Sequence, residues 1–202
     1  GPEKRLAGPY DRVLVATGSS TAMWDALARL GHRIVPPVPS LFTFNTKDTR
    51  LRDLSGVSVP KAVLHIPDTR LASEGPLLVT HWGLSGPAVL RLSAWGAREL
   101  FDKNYTFPLV VNWLGTTSPP ETARLLSGFK TELGKKQVVS NARFGLPARL
   151  WQSLCAAAGI PEDLRWADLD KQKTAALADQ LSAARFSIHG KSTFKEEFVT
   201  AG

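Results

Sequence analysis

The sequence has few of the residues that build disulfide-bonded or cysteine-ligated proteins. Its 202 residues include a single cysteine, Cys155, which excludes a disulfide framework and a cysteine-based zinc site. No apolar run approaches the ~20 residues of a membrane-spanning helix, and GPEKR at the start does not lead into the apolar core of a signal peptide. We therefore expect a cytoplasmic protein without a membrane segment.

Nucleotide-binding glycine motifs are also missing. Neither G-x-G-x-x-G nor a P-loop occurs, so the chain does not encode a complete dinucleotide site. We predict no metal site, because none of the four histidines has a partner at ligand spacing: His32, His65, His81 and His189. The six tryptophans are assigned to core packing.

Positive charge is in excess, and the excess is local. The net charge is +7. Between positions 124 and 150 one acid, Glu132, stands among six basic residues: Arg124, Lys130, Lys135, Lys136, Arg143 and Arg149. No RNP, zinc-finger or KH signature accompanies them, which favours a solvated basic face. The alternative is a helical, basic binding module for nucleic acid or an acidic protein partner.

The N-terminal part has the pattern of an α/β unit. DRVLVATG at 11–18 is an apolar run ending at glycine, which predicts a buried strand. Ser19 or Ser20 is then expected to cap a helix that runs to Leu30, with Gly31 as its C-terminal cap. The prolines of 34–40 predict an extended connector.

Short strands predominate from Leu41 to Leu114. They are LFTF, GVSVPKAVLHI, GPLLVTH and YTFPLVVNWL, bounded by turn residues such as those of SEGP and DKN. This spacing predicts a small β-barrel or antiparallel sheet.

Helical spacing begins after Thr116. Ser118 and Glu121 form a capping box for a helix that ends at Gly134, and further helices are expected over 147–158 and 168–183. Three short helices predict a compact, helix-turn-helix-like bundle. The alternating residues of 186–202 predict a return to strand.

LVTHWGLSGPAVLRLS, residues 78–93, raises the question of a hydrolase. A nucleophile elbow requires G-x-S-x-G, but proline follows Gly83-Leu84-Ser85-Gly86. We therefore predict that Ser85 is the N-cap of a helix whose apolar face is Val89, Leu92 and Trp95. A hydrolase with Ser85 as nucleophile and His81 as base is the less favoured hypothesis.

Four segments, in order, resemble one flavoprotein family. ATGSS, LGHRIVPPVPSLFTF, LVTHWGLSGPAVLRLS and FKEEFVTAG are similar to the motifs of the BaiN-like, YhiN-type or aminoacetone-oxidase-like family. The resemblance implies a Rossmann-like FAD-binding domain interrupted by a β-barrel and a helical bundle. It implies an α+β chain with partial α/β edges at both termini, divided as follows: 1–35 from the FAD-binding domain, 36–115 the barrel, 116–184 the bundle, and 185–202 the returning strand.

The resemblance also implies a function and a set of sites. The parent is expected to be an FAD-dependent oxidoreductase, with NAD(P)H as a candidate reductant and the rest of the FAD-binding domain as the partner of this chain. The segment after Ser20 departs from the family pattern. No catalytic residue is implied, and the chain alone is expected to bind no FAD. The implied cofactor-binding residues are Ala16, Thr17, Gly18, Thr200, Ala201 and Gly202, and the implied flavin-facing residues are His81, Gly83, Ser85, Gly86 and Pro87.

Overall fold

A computed structural model describes residues 9–192 and 200–201, and the chain divides into two compact units. The first ends at Pro36 and the second begins at Pro37. The described residues form six α-helices, a seven-stranded antiparallel sheet and a two-stranded sheet. The predicted α+β class is confirmed.

The first unit contains the predicted helix but not the predicted strand. Helix α1 spans Thr21–Arg29, and the Ser20 side chain accepts a hydrogen bond from the Met23 amide at 3.4 Å. The strand at 11–18 was a wrong prediction: these residues are not in a strand, and Leu14 is 91% exposed. A strand needs a neighbouring strand to pair with, and none of the described residues pairs with this segment.

All the strands found among the described residues belong to the second unit. They are β1 Val38–Pro39, β2 Thr43–Asn45, β3 Ser58–His65, β4 Ala72–Val79, β5 Gly83–Ser85, β6 Thr106–Asn112, β7 Ala184–His189, β8 Lys191–Ser192 and β9 Thr200–Ala201. The order in the large sheet is β7-β6-β3-β4-β5-β2-β8, and β1 pairs separately with β9. Part of the predicted C-terminal strand, 193–199, lies outside the described residues.

The connection between the outer strands explains the barrel-like shape of the large sheet. β7 and β8 stand at opposite ends of the strand order, yet only Gly190 separates them in sequence. The Gly190 carbonyl accepts a hydrogen bond from the Asn45 amide of β2 at 2.9 Å. The sheet must therefore curl until its two edges meet, and Gly190, with φ of 144°, makes the corner.

The remaining helices belong to the second unit: α2 Pro87–Trp95, α3 Ala97–Asp102, α4 Pro119–Leu133, α5 Ala148–Ala157 and α6 Lys171–Ser182. Helix α4 begins as predicted, because the Ser118 side chain accepts a hydrogen bond from the Glu121 amide at 3.4 Å. Four aromatic rings pack together among these helices, with successive centroids 5.5 to 6.5 Å apart: Phe129, Phe144, Trp151 and Trp166. The Trp151 indole donates to the Val138 carbonyl at 2.9 Å, which satisfies a buried polar group.

Ser85 is not a helix N-cap, which corrects the prediction. It is the last residue of β5, and Gly86, with φ of 95°, occupies the cap position of α2 without a side-chain hydrogen bond. In the sequence Ser-Gly-Pro, either the serine or the glycine could be the N-cap. Ser85 instead pairs with Leu78 as part of β5, so the cap position falls on Gly86. On the helix itself, Val89 and Leu92 are buried as predicted, whereas Trp95 is 68% exposed.

The tryptophans also divide differently from the prediction. Three tryptophans are buried in the core: Trp113, Trp151 and Trp166. Two others are largely exposed, Trp82 at 63% and Trp95 at 68%. The periodicity of a helix or strand predicts burial only for residues inside that element. Trp82 lies in a turn and Trp95 is the last residue of α2, so periodicity does not predict whether they are buried. Their exposure is therefore set by the local backbone.

Candidate functional site

The HWG part of the motif forms the tip of a tight hairpin. Strands β4 and β5 pair Leu78 with Ser85, and the Thr80 amide donates to the Gly83 carbonyl at 2.8 Å. The Thr80 hydroxyl also accepts hydrogen bonds from the Trp82 and Gly83 amides, at 3.3 and 3.2 Å. These bonds fix the backbone of the turn and leave the side chains of His81 and Trp82 exposed.

Packing accounts for both glycines of the motif. A Cβ on Gly83 would lie 2.8 Å from the Thr46 amide nitrogen and even closer to the Phe44 carbonyl oxygen. A Cβ on Gly86 would lie 2.9 Å from the Pro76 carbonyl oxygen. Both residues also have positive φ, so glycine is required here by the close approach of neighbouring backbone.

A polar loop packs beside the hairpin tip. The Thr46 amide donates to the Trp82 carbonyl at 3.0 Å, and the loop then continues through Asp48 and the 3₁₀ turn Thr49–Leu51. Two adjoining clefts, of about 490 and 200 Å³, share walls made by this loop and the hairpin tip. The shared lining residues are Leu51, Arg52, Thr80 and His81; Lys47 and Gly83 line the smaller cleft, and Asp53 the larger.

One arginine neutralises the half-buried acid of this loop. Asp48 and Arg50 form an ion pair with 2.7 Å between Oδ2 and Nη2, and Arg50 Nη1 continues to the Gln180 Oε1 at 2.7 Å. Arg50 also donates to the Arg185 carbonyl and lies 4.1 Å from the centre of the Phe186 ring. Burial alone would raise the pKa of Asp48, but the hydrogen bonds and charge of Arg50 outweigh it and hold the pKa below its usual value.

The rest of the loop leaves positive charge facing the cleft. Lys47 and Arg52 are exposed, and within residues 9–192 and 200–201 neither forms an ion pair. Arg149 of α5 reaches the same loop, because its Nη1 donates to the Asp53 carbonyl at 2.9 Å. Among the described residues that line the two clefts, the exposed acidic side chain is that of Asp53.

The residues of a serine hydrolase are not paired. The Ser85 hydroxyl accepts a hydrogen bond from the Thr43 hydroxyl at 3.1 Å, and in the described part of the chain no hydrogen bond joins it to His81. A nucleophilic serine needs a base within hydrogen-bond reach. The geometry therefore gives the hydrolase hypothesis no support.

The terminal segments implied to bind the cofactor fall in different units. Ala16, Thr17 and Gly18 are exposed in the first unit, and Gly18 has φ of 58°. In the second unit, Thr200 and Ala201 form β9, in register with Pro39 and Val38. Gly202 lies outside the described residues. Their roles in cofactor binding remain predictions.

The basic stretch between 124 and 150 is partly used for structure. Lys130 Nζ donates to the Leu169 carbonyl at 2.7 Å, Arg143 lies 5.6 Å from the Phe129 ring centre, and Arg149 holds the Asp53 carbonyl. Arg124, Lys135 and Lys136 remain exposed. The stretch is therefore divided between basic side chains that contact the protein and others that only face solvent, and Arg149 is exposed as well as bonded.

The described residues contain no group of three or more His, Cys, Asp or Glu side chains placed to hold a metal ion. Over the same residues, no helix has the length and apolar character needed to cross a bilayer.

Lys47, Arg52 and Trp82 are further candidate site residues that were not predicted from the sequence. Trp82 stands within the quoted motif, but tryptophan was assigned to the core. Lys47 and Arg52 lie in NTKDTRLRD, which has no periodicity and separates two strands. The signal that was available is the concentration of basic side chains in a loop, since loops carry binding residues more often than strands do.

The fold thus combines a barrel-like antiparallel sheet with a helical bundle. Residues 38–199 match the family described as "HI0933-like protein barrel and H2TH domain", and the chain belongs to this family. The family is one of FAD-binding flavoproteins and is associated with FAD-dependent oxidoreductases. The resemblance drawn from the four sequence motifs is thereby confirmed.

A curated relative carries a more specific name. The chain is 27% identical over 192 residues to a protein of Haemophilus influenzae named "Ribosomal RNA dihydrouridine synthase". The match covers 92% of this chain and 43% of the relative. The chain thus spans less than half the length of that relative.

Proposed function

We propose that this chain forms the barrel and helical insert of an FAD-dependent oxidoreductase. The observation that carries the proposal is the family match over residues 38–199, which covers both the barrel-like sheet and the helical bundle. In this proposal the insert covers the substrate side of the flavin, and the residues 1–35 and 185–202 belong to the edges of the FAD-binding domain. The boundaries at 36–115 and 116–184 are part of the same proposal.

We infer that the described residues of this chain form only part of an FAD site. The pyrophosphate of a dinucleotide is held by backbone amides at a glycine-rich helix N-terminus. Helix α1 follows Gly18-Ser19-Ser20, and Ser20 already caps it. We therefore assign the principal FAD contacts to the longer protein, with Ala16–Gly18 and Thr200–Gly202 at the edge of the site. When bound, FAD would supply the two-electron redox chemistry.

We further propose that the substrate is a uridine base in ribosomal RNA. The name of the Haemophilus influenzae relative supports this substrate, and so does the basic cleft beside His81. The reaction would add two electrons and two protons across the C5–C6 double bond of uracil. NAD(P)H is the proposed electron donor and leaves as NAD(P)⁺, so hydrogen and charge balance with one proton taken from water. In this chain, His81 and Trp82 would lie on the side from which the base approaches.

The test uses the longer flavoprotein that contains this chain. Ribosomal RNA from cells lacking the protein is incubated with it and NADPH, and the nucleosides are then measured by mass spectrometry. The proposal predicts dihydrouridine at a defined position, dependent on both protein and reductant. Unchanged RNA, together with oxidation of NADPH by a small molecule substrate, would reject the RNA part while leaving the oxidoreductase assignment in place.

A further inference from the structure

We propose that the cleft between the loop at 46–53 and the β4–β5 turn binds a single-stranded segment of RNA. Lys47, Arg52 and Arg149 would contact its phosphates, and the indole of Trp82 would stack on a base. The inference rests on the proposed function, because it takes RNA as the substrate. It adds the surface by which this chain would hold that RNA.

The turn presents Trp82 as a stacking platform. The residue is 63% exposed, whereas its backbone amide and carbonyl both form hydrogen bonds, with Thr80 and Thr46 respectively. Stacking of nucleobases on such rings is a main source of affinity in single-strand binding.

Charge beside the ring matches the phosphate backbone. The Asp48 carboxylate is neutralised by Arg50, so it does not cancel the charge of Lys47 and Arg52. Arg149 adds a third cation at the rim, anchored to the Asp53 carbonyl. Against these three cations, the exposed acid of the cleft is Asp53. A groove with net positive charge next to an aromatic ring is typical of single-stranded nucleic-acid sites.

The dimensions of the cleft also fit a short segment of single strand. Its larger part, about 490 Å³, falls in the usual range for small-molecule pockets, and the adjoining part of about 200 Å³ shares the wall formed by Arg52 and His81. The two parts are open to solvent beside the hairpin tip. Trp82 stands between His81 and Gly83, which both line the smaller part, so in this proposal a nucleotide occupies the cleft while its neighbour along the strand stacks on Trp82.

The experiment measures binding of fluorescein-labelled oligouridylate to the 202-residue chain by anisotropy, at several salt concentrations. The cleft variants are Trp82→Ala and Lys47→Glu/Arg52→Glu. Their matched controls are Trp95→Ala, an equally exposed tryptophan outside the cleft, and Lys135→Glu/Lys136→Glu on the helical domain. Circular dichroism checks that every variant is folded.

The proposal predicts that each cleft variant weakens binding about tenfold and that the charge variant lowers the salt dependence. Each control should change the affinity less than about twofold. Loss of binding in Lys135→Glu/Lys136→Glu with the cleft variants unaffected would move the RNA site to the helical domain and overturn the proposal. The proposal would also be overturned if a polyglutamate peptide displaced the labelled oligouridylate as well as unlabelled oligouridylate does. That result would assign the cleft to an acidic protein.

Failure of this inference is distinguishable from failure of the proposed function. If the 202-residue chain binds no oligouridylate at low salt, the cleft proposal is rejected. The dihydrouridine assay on the longer protein is independent of that result, because it measures product formed and not affinity for this surface. Product formation unaffected by Trp82→Ala and Lys47→Glu/Arg52→Glu would likewise reject the cleft while supporting the enzyme.

Discussion

Thr43 and Ser85 join two neighbouring strands through their side chains, with 3.1 Å between the two hydroxyl oxygens. Thr43 donates and Ser85 accepts, beside the register pair of Phe44 with Leu84. The serine of the SGP motif therefore has a structural role in the sheet. In the described part of the chain no hydrogen bond joins the Ser85 hydroxyl to His81, the base that a nucleophilic serine would need.

Ser85→Ala is expected to lower the free energy of unfolding by about 1 kcal/mol, because the hydroxyl of the buried Thr43 loses its acceptor. Thr43→Val should lower the free energy of unfolding less in the Ser85→Ala background than in the wild-type protein, because the two side chains share one hydrogen bond. Urea denaturation of the four proteins in this cycle measures both effects. Labelling of Ser85 by a fluorophosphonate probe would contradict the structural role.

Gly83→Ala is expected to destabilise the protein by about 3 kcal/mol, from backbone crowding together with an unfavourable φ of 147°. The matched control is Gly145→Ala. Gly145 also has positive φ, 68°, but a Cβ there would meet no atom within 4 Å, so about 1 kcal/mol is expected. Thermal melting distinguishes the two. Equal melting temperatures would show that the close approach of β2 to the hairpin tip is not a constraint.

The ion pair of Asp48 with Arg50 is expected to make stability depend on pH. Because the pKa of Asp48 is lowered by folding, its contribution is present above the unfolded value, about 3.9, and is lost as the pH falls through the folded value. Asp48→Asn should therefore cost about 1–2 kcal/mol at pH 7 and progressively less in acid. Asn preserves the capping acceptor for the Arg50 amide, so the charge is what the substitution removes.

The control for that experiment is Asp163→Asn, an exposed carboxylate for which the described residues provide no ion pair. Urea denaturation at pH 7 and in acid measures the stability of both variants. Asp163→Asn should leave the urea midpoint unchanged in either condition. A destabilisation by Asp48→Asn that persists undiminished below the folded pKa would show that the effect comes from shape and not from charge.

Cys155 is expected to be unreactive in the folded protein. Burial raises the pKa of its thiol to about 12, so the nucleophilic thiolate is scarce at pH 8, and the surrounding core blocks reagents. Because this is the only cysteine, Ellman's reagent should detect no thiol under native conditions and one per chain in denaturant. Rapid native labelling would show that helix α5 opens far more readily than its packing indicates.

Local signals predicted most of the elements because each carried its own physical cause. Ser118 with two following prolines and Glu121 specifies a helix start whatever surrounds it, and the structure places α4 there. Ser85 carries an equally good capping side chain, but pairing with Leu78 across the hairpin prevails. A prediction from capping preference alone does not consider that the same residue can pair in a strand instead.

Other features depend on distant parts of the chain. The apolar residues at 11–18 specify burial only if a strand is available beside them, and the described residues provide none. Barrel closure requires knowledge that β2 lies next to β8, which no local pattern contains. The cleft was missed for the same reason: Arg52 and His81 are far apart in sequence, and tertiary folding brings them to one wall.

The most direct test of the flavoprotein proposal is an absorbance spectrum of the longer protein that contains this chain, recorded beside that of residues 1–202. We predict that the longer protein purifies yellow with bound FAD that NAD(P)H bleaches. We also predict that titrating FAD into the 202-residue chain changes neither the flavin spectrum nor the melting temperature. A longer protein that is colourless and does not respond to added FAD would contradict the assignment of this chain to an FAD-dependent oxidoreductase.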